Sequence, residues 1–352
     1  MRRMAKRNYR VEVVRPNKGK PAYYLVKDVS FKGKKRKAKK YICRSDTAPP
    51  AELIEEYREK YAYDMEIKAA LKRAELSSSF YDIEYINKDY LRSVEDIHYL
   101  YQAVADLLTA NELEEYKKNF EMYYVHGTTS IEGNTLSADE TYNLLQYDIL
   151  PKEKTLREVN EVQNFRNVIK YRNSYRGKVT MDFIRNLHAL IMHNIDHESA
   201  GTFRRSDYIG IVGCDLRVTP AIEIENELEE AIDIYYKKIA DGFHPFEQAV
   251  IFHYKFEMIH PFTDGNGRIG REIFNYMLMR EGYPKLLFMG KDRPKYIDAL
   301  KLGNEDDRAT MVKIFADIII KQRCEVLREN LKNAVKPIEK TGQLRLTDFV
   351  NV

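Results

Sequence analysis

The nine residues His260-Pro261-Phe262-Thr263-Asp264-Gly265-Asn266-Gly267-Arg268, with Arg271 one helical turn later, constrain this chain more than any other stretch. Gly265 and Gly267 can take backbone angles closed to other residues, so successive N–H groups can converge on an anion. From Gly267 the apolar residues Ile269, Ile273 and Met277 recur every four, one face of a helix, while Arg268, Arg271 and Asn275 fall on another. The loop therefore feeds a helix N-terminus, where unpaired N–H groups and the macrodipole favour phosphate. Asp264 stands before that helix as a hard oxygen donor, suited to the Mg²⁺ that accompanies a nucleoside triphosphate. His260 is the nearby side chain able to accept a proton near neutral pH. Each residue also has a plain reading: Gly-Asn-Gly as a turn, the histidine as a core residue, Asp264 as a helix cap. Their joint spacing favours a phosphate cradle with a base beside it.

These nine residues match H-P-F-x-(D/E)-G-N-(G/K)-R without departure, and on that signature the chain resembles the Fic domain family. His244-Pro245-Phe246-Glu247-Gln248-Ala249 and His253-Tyr254-Lys255-Phe256 are similar to the helix that delivers the loop in that family, and the resemblance covers roughly residues 110 to 335. It implies a mainly α fold, a Fic-type helical core with a β-hairpin flap, and transfer of AMP from ATP to a Ser, Thr or Tyr hydroxyl of a protein target. In that reading His260 removes the hydroxyl proton and Asp264 holds Mg²⁺. Gly265, Asn266, Gly267, Arg268 and Arg271 hold the phosphates, and Tyr296 and Asn304 align with positions near the adenosine. Phosphate-transferring relatives carry Lys where this chain has Gly267.

Thr128-Thr129-Ser130-Ile131-Glu132-Gly133 resembles the family's inhibitory segment, (S/T)-x-x-x-E-(G/N), through Thr128, Glu132 and Gly133. Glu132 is then expected to pair with Arg268 or Arg271, taking the guanidinium fork that would hold a γ-phosphate. Read without the family, it is a helix-terminal carboxylate before a Gly-Asn turn. Gly201-Thr202-Phe203-Arg204-Arg205 resembles the approach to the flap, placed at Asp207 to Val218. There Tyr208, Ile209, Gly210, Ile211, Val212 and Gly213 would dock a target segment by main-chain pairing; a purely structural hairpin is the alternative. Two other functions stay open: hydrolysis of AMP from a modified protein, with Glu132 orienting water, and a nucleic-acid-binding regulator with an ATP-sensing core. Fic proteins often self-associate and modify themselves, so a homo-oligomer and self-modification are further expectations.

Charge divides the chain. Residues 1 to 45 hold 17 of the 58 lysines and arginines but only Glu12 and Asp28 of the 54 acids, so the remainder is net acidic. Within this basic β-rich region, 9–14 and 22–26 read as strands about a Pro-Asn-Lys-Gly-Lys turn, with a third strand following the lysine-rich 31–37 and ending at Tyr41-Ile42-Cys43. Its lysines, aided by Tyr23 and Tyr24, either contact a nucleic-acid backbone or protect a sheet edge. A helical region over 46–179 follows, with helices near 52–75, 88–108, 111–126, 137–147 and 153–174; the catalytic core spans 180–320 and a helix end and tail 321–352. Cys43, Cys214 and Cys324 lack metal spacing and are expected as reduced thiols. No apolar run suits a membrane span or signal peptide, so a cytoplasmic protein is expected.

Overall fold

Apolar residues alternating with charged ones draw the amino-terminal region into a sheet of β1 (Arg10–Val14), β2 (Ala22–Phe31) and β3 (Lys34–Arg44), antiparallel in that order. The computed structural model describes residues 9–207 and 218–334. The lysine run is strand rather than loop: only Lys32 and Gly33, with φ of 41° and 83°, lie between β2 and β3. Positive φ at both positions gives the mirror-image turn that matches right-handed strand twist.

Leu25, Val29, Ala38 and Ile42 face inward and pack with Met65, Ala69 and Leu76. The last three belong to the second of two helices, α1 (Ala51–Lys60) and α2 (Ala62–Ser78). The single helix expected over 52–75 is broken at Tyr61. α1 buries no residue, and the break lets α2 alone hold Met65, Ala69, Ala70 and Ala74 inside. Tyr23 shares the face of Leu25 and packs on the same core, so of the two tyrosines expected to meet nucleic acid only Tyr24 is on the other face. α3 (Lys88–Leu107) completes this first unit with the start of the next helix and the chain from Ile320. The basic sheet is thus one wall of a small core shared with helices, and the unit runs well past residue 45.

The second unit comprises Asp82–Asn87 and Glu115–Ile319. Its helices are α4 (Ala110–Ser130, from Glu115), α5 (Ala138–Tyr147), α6 (Leu156–Gln163), α7 (Phe165–Ser174), α8 (Met181–Ile191), α9 (Ile224–Asp241), α10 (Pro245–Ile259), α11 (Asn266–Arg280), α12 (Arg293–Asn304) and α13 (Arg308–Ala334, to Ile319). Ser137 with Glu140 and Thr155 with Glu158 form capping boxes that start α5 and α6. The helix expected over 153–174 is two, because the Asn164 side chain donates to the carbonyls of Ile191 and His193, both at 2.7 Å, and sets the bend between α6 and α7. α4 runs four residues beyond the expected end at 126 and so carries Thr128.

α10 is buried on nearly every side, through Phe246, Val250, Phe252, Phe256 and Ile259, which makes it the centre of the unit. α11 lies along it with Ile269, Ile273, Phe274 and Met277 buried. Beside them Arg172 pairs with Glu272 at 2.9 Å and with Glu121, which also receives Lys285 at 2.5 Å, a buried four-charge network joining α4, α7 and α11. No described helix is long and apolar enough to cross a membrane. The flap expected at Tyr208 to Gly213 lies outside the described residues, as does Cys214.

Candidate active site

α10 ends because His260 takes a left-handed conformation, φ 49° and ψ 60°, with its N–H closing on the Phe256 carbonyl at 3.0 Å. Positive φ is uncommon for a histidine, and the residues around it hold it there. Arg204, itself buried, donates from Nε to the His260 carbonyl at 2.8 Å, from Nη2 to the carbonyls of Ile259 (3.2 Å) and Thr219, and from Nη1 to Ser206 (2.8 Å). One guanidinium therefore ties the histidine to both stems of the 208–217 segment. In the sequence Arg204 stands out only as part of the approach to the expected flap.

The rest of the loop is fixed from beneath. Phe262 is fully buried and stacks on His188 with centroids 3.7 Å apart. His188 Nδ1 accepts the Gly201 N–H at 2.9 Å, which leaves Nε2–H to donate to the Asp264 carbonyl at 3.1 Å. Burial pushes His188 down to about 4, so it remains the neutral donor. Asn266 accepts the Phe262 N–H at 2.9 Å and donates to its carbonyl at 2.7 Å. Both ends of that amide are engaged, so Asn266 shapes the loop from within. Gly265, at φ 78°, supplies the left-handed step into α11.

At that helix start the first intrahelical bond is Ile269 N–H to Gly265 at 3.0 Å, so the N–H groups of Asn266, Gly267 and Arg268 belong to the open first turn. Arg268 is buried and reaches Asp264 Oδ1 at 3.0 Å and, from Nη1, Glu161 Oε1 at 3.3 Å, while its Nε makes no hydrogen bond among the described residues. Asp264 is also paired with Arg157, which sequence reading missed for want of any local motif. Burial alone would raise the Asp264 pKa; the Arg268 charge, the Gly265 N–H and Arg157 outweigh it and hold the carboxyl below its ordinary value. A guanidinium N–H without a hydrogen bond and a helix N-terminus around an ionised carboxylate suit an anion with several oxygens. Asp264 also suits a Mg²⁺ whose other ligands come from that anion and from water.

What lies over the helix start is Glu132. Gly133 has φ 95°, the Asn134 N–H reaches Thr129 at 3.2 Å and the Gly133 N–H reaches Ser130 at 3.1 Å, the Schellman pattern that ends α4 with Glu132 at its C-cap. A carboxylate there opposes the helix macrodipole, so it needs a cation elsewhere. Arg271 provides one: Nη2 meets Glu132 Oε1 at 2.6 Å and the Thr128 carbonyl at 3.0 Å, while Nε donates to the Thr128 hydroxyl at 3.0 Å. Of the two arginines expected, the pair forms with Arg271 and not Arg268. Burial works to raise the Glu132 pKa, but Arg271, with Arg268 and Arg293 behind it, holds it low. A Cβ at Gly267 would overlap Glu132 Oε1, so any larger residue would displace the carboxylate.

His260 Nδ1 lies 3.3 Å from the Glu257 carbonyl; with the proton there, Nε2 is the free acceptor. Burial lowers the His260 pKa, keeping the ring neutral. Below Arg271, Glu257 is buried with Oε1 unpartnered among the described residues, and burial pushes it up to about 7. Tyr296 donates toward this interior as well: its ring is buried beneath Arg271 and its hydroxyl is 2.9 Å from His253 Nε2, so it supports the arginine and does not face an open nucleoside site. Asn304 is exposed and lines a groove of about 290 Å³ with Val218, Thr219, Pro220, Tyr254, Lys255 and Met258.

This fold and site define a helical domain whose loop-to-helix junction gathers open backbone N–H groups and two arginines around Asp264 and Glu132. Residues 178–278 match the model of the Fic/DOC family, and the chain carries a Fic domain there. The chain is 30% identical over 236 residues, 66% of its length, to protein adenylyltransferase fic-1 of Caenorhabditis elegans. It is 32% identical over 211 residues, 58% of its length, to protein adenylyltransferase Fic of Aedes aegypti. These matches cover 45% and 41% of the relatives, so the chain spans less than half the length of the curated proteins it matches. The solved structure of Fic-1 from C. elegans superposes with a TM-score of 0.59 at 23% identity, covering 81% of this chain and 84% of that one. A Fic domain containing signaling protein from Bacteroides thetaiotaomicron gives 0.59 at 22%, covering 71% and 100%. Both are likenesses of fold.

Proposed function

We propose that the protein transfers AMP from ATP to a side-chain hydroxyl of a protein target and that Glu132 restrains the reaction. The observation that carries this reading is the Glu132 carboxylate resting against Gly267 and Arg271, an anion lodged where the first turn of α11 and two arginines converge. The names of the relatives, protein adenylyltransferases, support the forward direction.

In the reaction, Nε2 of His260 takes the proton of the target hydroxyl as its oxygen bonds to the α-phosphorus, and the bond from that phosphorus to the bridging oxygen of pyrophosphate breaks. The open N–H groups of Asn266, Gly267 and Arg268, with the Arg268 guanidinium, hold the phosphates and stabilise charge on the leaving group. Asp264 would hold Mg²⁺, which when bound neutralises phosphate charge. The groove at Asn304 would take the nucleoside, and the 208–213 segment the target. With Glu132 in place, Arg271 has no fork to offer a γ-phosphate, so ATP sits with its α-phosphorus turned from His260.

The test is the intact mass of Glu132→Gly after incubation with ATP and Mg²⁺, beside a Glu132→Gly, His260→Ala control. Gain of AMP by the first and not the second is expected; an unmodified first protein, with no labelling of cell-lysate proteins, rejects the transferase. Removal of AMP by the unsubstituted chain, lost in Glu132→Gly, would instead indicate the hydrolytic direction.

A further inference from the structure

The outer face of the amino-terminal sheet gathers charged and aromatic groups that the reaction does not use. Strand pairing puts Ser30 beside Lys35, Asp28 beside Lys37, Val26 beside Lys39 and Tyr24 beside Tyr41, with Arg10 and Glu12 of β1 on the same side. Leu25, Val29, Ala38 and Ile42 belong to the core on the other side. Val26 is wholly buried although it lies outside that core, as a residue under long cationic side chains would be. Lys35, Lys37 and Lys39 are exposed, and Tyr41, 48% exposed, ends their row. Tyr24 and Tyr41 meet edge to face at 5.7 Å, and Lys39 lies 5.7 Å over the Tyr24 ring.

Edge protection accounts for lysines on β3, but not for two tyrosines on the same face at the end of their row. We propose that this face binds single-stranded nucleic acid, with phosphates on Lys35, Lys37 and Lys39 and a base stacked on Tyr41. The three lysines alternate along one strand, so their stems repeat roughly every 7 Å. That is a linear cationic rail beside an aromatic platform, the pairing that single-strand binding uses. Glu12 sits across the rail, bonding Lys37 at 2.7 Å and Lys39 at 2.6 Å, and the two lysines hold its pKa down to about 2. Exposed pairs of this kind are weak and screened by salt, so Glu12 attenuates the face without closing it. The first 45 residues carry 17 cations against two acids, which gives the field for a polyanion.

The experiment is fluorescence anisotropy of the full chain with a labelled 20-mer of single-stranded DNA, the same sequence as RNA, and its DNA duplex, at salt from 50 to 300 mM (roughly the range over which counterion release is read). Single strands should bind, with affinity falling steeply with salt. Lys35→Glu, Lys37→Glu, Lys39→Glu together should lose more than about tenfold, and Tyr41→Ala about fivefold or more with an unchanged salt slope. Glu12→Gln frees two lysines and should tighten binding severalfold, an outcome that misfolding cannot imitate. Equal binding by the wild type and the triple variant, weaker or unchanged binding by Glu12→Gln, or a preference for the duplex would each overturn the proposal. The AMP-transfer reading is untouched by any of these results.

Discussion

In the proposed reaction Arg271 would exchange the Glu132 carboxylate for a phosphate. Glu132 and Thr128 together occupy its Nε and Nη2, so the arginine is buried, paired and withheld. Glu132→Gly should raise AMP transfer by roughly ten- to a hundredfold, the worth of one charge-assisted bond removed from the resting state. Steady-state labelling with ATP checks this. His260→Ala in the same background should lower the rate by about 10²- to 10⁴-fold, the contribution of a positioned base. The pH profile carries a sharper test. Burial lowers the His260 pKa from its ordinary 6.5, so the neutral base persists below that value and is lost only as pH falls through the depressed one. The acid limb of kcat/KM should therefore lie below pH 6.5; a limb at or above it would place the base elsewhere.

At the scale of elements, α4 and α10 each hold a carboxylate in an unfavourable place. Gly133 allows α4 to end with Glu132 at its C-cap, and an alanine there must adopt φ 95°. Gly133→Ala should cost about 1 kcal/mol of stability. It should also raise basal AMP transfer, because the turn that aims Glu132 is loosened; thermal unfolding and labelling read the two effects. On α10, Glu257 is raised from 4.5 to about 7, so the folded state favours its protonated form. That contribution to stability is whole below about pH 4.5 and is lost as pH rises towards 7. Glu257→Gln should accordingly stabilise the protein at pH 8 by about 1–3 kcal/mol and do little near pH 5, as melting at the two pH values would show. A larger gain at pH 5 would contradict the burial assigned to this group.

In the molecule as a whole, the second unit is knit by charge as well as by apolar packing. Glu121 takes both Arg172 and Lys285 in the interior, and its removal takes a carboxylate from each of two buried cations, leaving Glu272 on Arg172. Glu121→Ala should cost about 3–5 kcal/mol in chemical denaturation. Much of this unit was legible beforehand. The signature from His260 to Arg268 and the start of α11 follow from local spacing, because a loop feeding a helix is a short-range event; the Glu132–arginine pair was expected only through the resemblance to the Fic family. The break at Tyr61 was not legible, since it answers to what α2 packs against and not to a breaker residue. Arg157, His188 and Arg204 were hidden for a related reason: each acts on the signature loop from 50 or more residues away, through bonds that no periodicity encodes. Asn266 and Tyr296 carried a family role in sequence, but their hydrogen bonds turn inward to Phe262 and His253. Residue order alone determined that this chain has an anion-ready helix start with a histidine before it, because backbone freedom and helical spacing are written locally. Which arginine meets Glu132, which carboxylates are buried and which tyrosine faces out were decided by tertiary packing, since only the assembled core sets distance, burial and the competing partners of each charge.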